Sequence, residues 1–263
     1  MNARWLRFGL TFAGIATILS AAPSADKLKR LFPDRPAIPA AERTPKFRFA
    51  RMKYSGGNPE YVKNWYTDYP SMDKHLTLLA KRYTNMEVGE PALVEPSSPD
   101  IFNYPLIYSV EPEQMFLGPE DAANLREYLD RGGFWFADDF HGEDEFNQFA
   151  DQIRRVMPGA SLVELDTSHP LFQAVYNIDA IIQVTNDGIA RCPECDQWEN
   201  GPTGRIPKVF AVRDSTGRVC ILMAWNTDLG DGLEWADDPT YPSRYSTYAF
   251  KFLTNVIVYA MSH

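Results

Sequence analysis

The chain is poor in cysteine, and this shortage limits what its thiols can do. Three cysteines in 263 residues are too few for a disulfide-rich scaffold, and only Cys192 and Cys195 are close together in sequence. A zinc site built on them would need a second cysteine pair, which the sequence lacks. In an oxidising compartment we predict a local Cys192–Cys195 disulfide and a buried, free Cys220.

An excess of basic charge is also lacking. Lys and Arg together number 26 against 35 for Asp and Glu, which leaves a net charge of −9. No cluster of Lys and Arg interrupts this acidic balance, so the chain is a poor candidate for binding nucleic acid or anionic lipid. The composition is compatible with a cationic partner or a metal ion.

Long hydrophobic runs are absent except near the N-terminus, where residues 1–25 have the pattern of a signal peptide. Arg4 and Arg7 precede an uncharged stretch from Phe8 to Leu19, and small residues follow. The stretch is shorter than the ~20 residues of a membrane-spanning helix. Pro23 is unfavourable after the cleavage site, so an uncleaved N-terminal segment is the only membrane attachment expected. We predict export to the periplasm or the extracellular space.

The remaining chain divides into a linker and one domain. Four prolines among charged and small residues predict a Pro-rich linker over residues 26–46, and residues 47–263 have the length of one α/β domain. Strand-like and helix-like patterns alternate up to residue 165, which predicts a doubly wound, mainly parallel sheet. The turn residues 214–217 lie between two apolar runs and predict an added β-hairpin.

Polar residues follow one predicted buried strand at the point where the strand ends. The apolar run Phe134–Ala137 is bounded by glycines and is followed by Asp138, Asp139 and His141. Ligands of open α/β sheets bind at the carboxyl ends of strands, so these residues are candidates for a site. The alternative is that one aspartate only caps a helix that starts near Glu143.

A second polar segment follows the second strand of the predicted hairpin, in a glycine-containing loop. Its candidates for ligand binding are Asn226, Asp228, Asp231 and Trp235, and Glu234 lies among them in the same segment. If the two strands are parallel neighbours, both polar segments meet at one edge of the sheet. Asp139, His141 and Asp228 could then hold a divalent cation, or two carboxylates could act as general acid and base.

Several motifs of the chain together resemble a known family. They are Arg126–Leu129, Gly132–Phe134, Asp138–Gly142, His169–Phe172, Asn226–Asp231, Trp235–Pro239 and Tyr259–Met261. This combination resembles family 4159 of the domains of unknown function, over about Phe47 to His263. The resemblance implies a flavodoxin-like, class I glutamine amidotransferase-like sandwich, and it implies no activity.

A looser comparison concerns the nucleophile. Amidotransferase-like enzymes have Cys-His-Gly after a central strand, and Phe140-His141-Gly142 resembles that spacing with a phenyl ring in the nucleophile position. A phenyl ring cannot attack a carbonyl, so we expect no glutaminase or cysteine-nucleophile chemistry. Trehalose-utilisation proteins are another nucleophile-lacking branch of this fold, and by analogy they favour carbohydrate as the ligand.

We therefore expect an exported, non-catalytic ligand-binding or assembly domain, whose partner is a small molecule, a carbohydrate or another exported protein. Aromatic residues in its loops, at Trp65, Tyr66, Trp198 and Trp235, suit sugars or cationic groups. No cofactor is expected under this interpretation.

The alternative is a metal-dependent hydrolase that uses Asp138, Asp139, His141 and Asp228 with a divalent cation. If His141 is structural, we expect its ring to tether the loop through hydrogen bonds to the backbone. If it is a site residue, we expect the ring to be partly exposed near Asp139 or Asp228. A neighbouring carboxylate would then keep the ring charged at higher pH.

Overall fold

The structure is a computed structural model that describes residues 47–56 and 64–263. The predicted signal peptide (1–25) and Pro-rich linker (26–46) lie outside the described residues. From residue 47 onwards the chain belongs to one compact unit, Thr44–His263. Within the described ranges, no helix has the length and apolar character that a membrane crossing requires.

Seven strands form one sheet. They are β1 (Ala50–Met52), β2 (Ala92–Val94), β3 (Leu106–Val110), β4 (Phe134–Asp138), β5 (Val163–Leu165), β6 (Lys208–Arg213) and β7 (Val219–Trp225). Their order is β2-β1-β3-β4-β7-β6-β5. The first five in this order are parallel, whereas β6 runs antiparallel to both β7 and β5. The predicted mainly parallel α/β sheet with an added hairpin is confirmed.

Helices cover both faces of the sheet. They are α1 (Ser71–Tyr83), α2 (Pro119–Asp130), α3 (Gly142–Val156), α4 (Asp187–Ala190), α5 (Leu229–Glu234) and α6 (Ser243–Ser262). Short 3-10 turns add Asn64–Tyr66, Pro99–Asn103, Pro112–Gln114, Pro170–Gln173 and Gly201–Gly204. Apolar residues of α1, α5 and α6 pack on one face, and those of α2 and α3 on the other.

Strand β4 lies in the middle of the sheet because both of its faces are apolar. Successive side chains of a strand point to opposite faces. Phe134 and Phe136 enter the core under α6, and Trp135 and Ala137 enter the core under α3. Full burial of one large apolar side chain contributes roughly 1.5–3 kcal/mol. This strand therefore anchors both layers of helices and holds the residues that follow it in place.

Two elements differ from the sequence-based expectations. Strand β2 was not predicted, because it is three residues long, forms the edge of the sheet and buries only Val94. Helix α5 occupies the segment expected to be a glycine-containing loop. Its N-cap is Asp228, whose side chain accepts a hydrogen bond from the backbone N–H of Asp231. This cap and the burial of Leu229 and Leu233 offset the low helix propensity of the two glycines.

The structure also shows which residues begin two of the helical segments and which cysteines are paired. Ser71 is the first residue of α1 and does not cap it, since Pro70 occupies the N-cap position. His169 caps the 3-10 turn after it, because its Nδ1 accepts a hydrogen bond from the N–H of Leu171 at 3.3 Å. Cys192 and Cys195 form a disulfide, and Cys220 is free and buried.

Candidate functional site

The two polar segments meet at the carboxyl edge of the sheet, because β4 and β7 are parallel neighbours. The N–H of Asp139 donates to the carbonyl of Thr227 at 3.3 Å, and the N–H of Asn226 donates to the carbonyl of Phe140 at 3.0 Å. These two hydrogen bonds join the segments directly beyond the strands. Asp139 and Asp228 are thereby brought into one cluster.

Three buried carboxylates form the centre of this cluster. Asp68, Asp139 and Asp228 each offer an oxygen atom, and these atoms lie within 4.8 Å of one another. Asp68 was not predicted as a site residue. It lies in the loop before α1, far from the other two in sequence. Its sequence neighbours Trp65 and Tyr66 were interpreted only as aromatic residues of a loop.

Arg51 holds the loop that carries Asp68. It lies in β1, is fully buried, and forms an ion pair with Asp73 of α1 at 2.6 Å. Its Nη1 donates to the carbonyl of Thr67 at 2.8 Å, and its guanidinium lies 4.9 Å from the ring centroid of Tyr108. An arginine within an apolar strand is the signal that could have revealed this arrangement, because a buried charge needs partners.

Left-handed backbone is concentrated at this edge. Asp68 (φ 62°), Glu111 (φ 41°), Asp139 (φ 59°) and Asn226 (φ 59°) all have positive φ, although none is glycine. Asp and Asn tolerate this region best, but such conformations still cost of order 1 kcal/mol or more and cluster at functional sites. The turn after β4 directs the carboxylate of Asp139 towards the cluster.

Asp138 is the last residue of β4, and nothing of it is exposed. Its Oδ2 accepts a hydrogen bond from the N–H of Gly230 at 3.0 Å, whereas its Oδ1 has no hydrogen-bond partner. Burial raises the pKa of this carboxyl group to about 8. Gly230 is required here, because a Cβ on it would lie 1.9 Å from Oδ2 of Asp68.

The cluster carries more negative charge than its surroundings neutralise. Burial, together with repulsion from neighbouring carboxylates, raises the pKa values of Asp68, Asp139 and Asp228 well above their usual range. Two like charges 4 Å apart repel by about 4 kcal/mol at an effective dielectric constant of 20. The positive charge of Arg51 opposes this increase in the pKa of Asp68 but does not cancel it, and Arg51 is already paired with Asp73. Protons or a cation must therefore neutralise the cluster.

A second group of carboxylates lies beside the first and shares Asp68 with it. It consists of Asp68, Asp231 and Glu234, whose oxygen atoms also lie within 4.8 Å of one another. Asp231 accepts hydrogen bonds from the N–H of Asp187 at 2.5 Å and from the indole of Trp235 at 3.1 Å. Burial raises the pKa of Asp231 to about 7. The indole of Trp235 thus helps to hold the carboxylate of Asp231 in place.

The environment of His141 differs from expectation. Its Nε2 lies 3.1 Å from Oδ1 of Asp139, as the predicted proximity requires, but the residue is only 5% exposed. Burial lowers the pKa of His141, and the Glu199 carboxylate, 3.8 Å from Nε2, acts in the opposite direction. The expectation of a partly exposed ring is wrong, and burial disfavours the charged form more than the carboxylate of Glu199 favours it. Its Nδ1 has no hydrogen-bond partner.

Asn226 is a structural tether at this site. Its Oδ1 accepts a hydrogen bond from the N–H of Gly142 at 2.8 Å, and its Nδ2 donates to the carbonyls of Thr203 and Ile206 at 2.9 and 2.8 Å. These contacts use both N–H groups of the amide. Asn226 thereby joins the 203–206 segment to the start of α3, and its contact with a ligand stays a prediction.

An open cleft lies next to His141, at the start of α3. Its volume is about 390 Å³, and polar side chains dominate its lining. The lining residues are His141, Gly142, Glu143, Asp144, Glu145, Gln148, Asn200 and Thr203. Such a volume is sufficient for a small ligand. Acidic and amide groups suit hydroxyl-rich or cationic ligands.

The aromatic side chains divide into two groups. Trp198 and Trp235 each have one ring face covered by an arginine, Arg205 at 4.2 Å and Arg191 at 5.2 Å. In the loop that carries Asp68, Trp65 and Tyr66 pack edge to face, and Tyr66 is 47% exposed. Tyr66 therefore offers the more accessible surface for a ligand.

The expected metal ligands are only partly brought together. Asp139 and Asp228 belong to the same carboxylate group, but the third member is Asp68 and not His141. His141 contacts Asp139 and therefore supports this group from outside. Phe140, in the position expected for a nucleophile, is fully buried against Phe149.

Comparison with known proteins gives a family without an assigned activity. The family described as domain of unknown function (DUF4159) matches residues 48–261. No curated protein matches the sequence. Because the match covers most of the chain, including every site residue described above, the chain belongs to the DUF4159 family.

Proposed function

We propose that the chain is an exported, non-catalytic ligand-binding domain whose site is organised by a divalent cation at Asp68, Asp139 and Asp228. Three carboxylate oxygens are the ligand type that Mg²⁺ and Ca²⁺ prefer. Export is inferred from the N-terminal sequence. For the sheet and its helices we propose the finer class as well, a flavodoxin-like or class I glutamine amidotransferase-like sandwich.

The observation that carries the proposal is a buried carboxylate oxygen without a partner. Oδ2 of Asp68 has no hydrogen bond, although Asp68 is only 7% exposed. Buried polar atoms are almost always paired in proteins, and an unpaired one needs an explanation. A cation would satisfy this oxygen and relieve the repulsion between the three carboxylates.

Carbohydrate is the ligand class that we propose for the cleft next to His141. Its lining of carboxylates and amides provides acceptors and donors for hydroxyl groups, and a cation can coordinate further hydroxyl oxygens. Tyr66 does not line this cleft, but in the loop that carries Asp68 it provides an accessible aromatic surface, on which the apolar face of a sugar ring can stack.

A metal-dependent hydrolase is the second candidate, and His141 is the observation that favours it. A neutral imidazole beside a carboxylate could accept a proton from an attacking water, and a cation held by Asp68, Asp139 and Asp228 would supply Lewis acidity there. Turnover of an ester, glycoside or amide substrate that is lost in Asp139→Asn and in His141→Gln would favour this candidate over a binding domain.

Thermal unfolding of metal-free protein tests the proposed cation site. At a hundredfold excess over its dissociation constant, a bound ion stabilises the fold by ~2.7 kcal/mol, which corresponds to about 5–10 °C for a domain of this size. We expect this increase with Ca²⁺, Mg²⁺ or Mn²⁺ in the native protein, and none in Asp68→Asn. Asp237→Asn is the matched control, because the Asp237 side chain is 79% exposed and outside the cluster. No increase with any of the three ions would contradict the proposal.

A glycan array probed with and without the ion tests the ligand class. We expect sugar binding that requires the cation and that decreases in Tyr66→Ala. Binding of no glycan in the presence of a bound cation would reject carbohydrate and leave the cation site in place.

A further inference from the structure

We propose that the site holds two divalent cations that share Asp68 as a bridging ligand. The first is bound with Asp139 and Asp228, and the second with Asp231 and Glu234. This inference rests on the proposed cation site and extends it to a second ion. Two-metal sites clamp ligands that present two oxygen atoms close together.

Asp68 is in the right place for a bridging ligand. It is the common member of both carboxylate groups, and within each group the oxygen atoms lie within 4.8 Å of one another. Its Oδ2 lies against Gly230, in the first turn of α5. Asp228 lies two residues before Gly230 and Asp231 directly follows it, so the backbone beside Oδ2 carries one ligand of each group. This oxygen has no hydrogen-bond partner and belongs to a residue that is 93% buried.

Helix α5 orients the ligands of both ions. Its N-cap Asp228 accepts a hydrogen bond from the N–H of Asp231 at 2.7 Å. The carboxylate of Asp231 is in turn held by the N–H of Asp187 and the indole of Trp235. Metal-binding carboxylates are commonly fixed by such outer hydrogen bonds, which leave a lone pair free for the ion.

The charge of the cluster also favours two ions over one. Six carboxyl groups lie together here, and their members are Asp68, Asp138, Asp139, Asp228, Asp231 and Glu234. The buried guanidinium nearby, that of Arg51, is paired with Asp73. Five of the six carboxyl groups, all except Asp138, belong to the two carboxylate groups. A single divalent ion supplies two positive charges, whereas two ions supply four, which is closer to the charge of five carboxylates.

The chemistry of the donors indicates the class of ions and ligand. All five donors are carboxylates, so hard ions such as Mg²⁺, Ca²⁺ or Mn²⁺ are expected. The ligand between two such ions would present paired oxygens, as a vicinal diol, a carboxylate or a phosphate does.

Titration of the metal-free chain with Mn²⁺ tests the inference. We expect two ions per chain by equilibrium dialysis, together with the exchange-coupled electron paramagnetic resonance spectrum of two neighbouring Mn²⁺ ions. Glu234→Gln and Asp139→Asn should each retain one ion and lose the coupled spectrum. Asp68→Asn should bind at least tenfold more weakly at both positions, and Asp237→Asn should behave as the native protein. Circular dichroism confirms that each variant is folded.

The outcomes separate this inference from the proposed function. One ion in the native protein, with an uncoupled spectrum that Glu234→Gln leaves unchanged, would overturn the second site and leave the first in place. No bound ion in the native protein would overturn both. If Glu234→Gln fails to fold, Asp231→Asn replaces it, and the spectrum of the native protein alone still decides.

Discussion

His141 differs from the other three histidines because its ring lies inside the site. Its backbone is already held by neighbours, since its N–H donates to Glu145 at 2.5 Å and its carbonyl accepts from Asn200 at 2.9 Å. The ring is therefore not needed to hold the chain, and its contact with Asp139 is available for orienting a cation ligand.

Replacement of His141 should affect binding more than stability. Outer partners of metal ligands typically contribute a factor of 10–100 to affinity. We expect His141→Ala to weaken Mn²⁺ binding by about tenfold or more and to lower the melting temperature by at most about 4 °C, since one hydrogen bond is worth about 1 kcal/mol. Isothermal titration and calorimetry measure both effects. His169→Ala is the control, because it removes a cap and should lower stability without changing affinity.

At the scale of elements, the loop before α1 depends on an ion pair in the core. Arg51 connects β1, the Asp68 loop and Asp73 of α1. A buried ion pair seldom adds much stability compared with an apolar pair, but it leaves an uncompensated charge when one partner is removed. The position of Asp68 and the stability of the fold can therefore be separated by mutation.

Arg51→Met should destabilise the fold by about 3–5 kcal/mol, because it leaves Asp73 buried without its partner. The double variant Arg51→Met/Asp73→Leu should recover most of this loss. It still lacks the hydrogen bonds to the carbonyls of Trp65 and Thr67, so cation binding should remain weak. Urea unfolding and Mn²⁺ titration of the three proteins measure this. Full affinity in the stable double variant would show that Arg51 does not position Asp68.

Elements also differ in how far the sequence predicts them. The helix-like patterns predicted before residue 165 correspond to α1, α2 and α3, because the apolar residues of these helices recur at helical spacing. The six-residue α5 was missed because local propensity disfavours its two glycines, and its stability comes from the cap and from burial.

At the scale of the whole molecule, buried acids make the metal-free fold sensitive to pH. Burial raises the pKa values of Glu113 and Asp138 to about 8, and that of Asp231 to about 7. In the unfolded chain these groups ionise near pH 4. The native state therefore binds more protons than the unfolded state between these values, and its stability decreases as the pH rises.

We expect the free energy of unfolding of metal-free protein to fall between about pH 4.5 and pH 8. Each such group contributes a slope of up to ~1.4 kcal/mol per pH unit. Glu113→Gln should make the slope shallower by up to that amount, because Glu113 lies outside both carboxylate groups and loses its titration. Urea unfolding across this pH range, repeated with saturating Mn²⁺, measures both effects. The ion should remove most of the remaining slope, whereas an equal slope in all samples would contradict the expected protonation.

The sequence by itself determined the class of the fold and the part of the site that follows β4. Period-two and helical patterns depend on local spacing, so the parallel sheet, its hairpin and the Asp138–His141 segment after β4 could be read directly. The disulfide between Cys192 and Cys195 is equally local, and the chain adopts it.

Only the tertiary structure decided which polar residues meet. Asp68 joins Asp139 and Asp228 because Arg51 holds its loop over the sheet, and no local pattern encodes a contact across so many residues. The same holds for His141, because burial of its ring, which lowers its pKa, arises only when the elements pack together. Burial and long-range charge interactions depend on how the elements pack together. They involve residues that are far apart in the sequence, so no single segment of the sequence shows them.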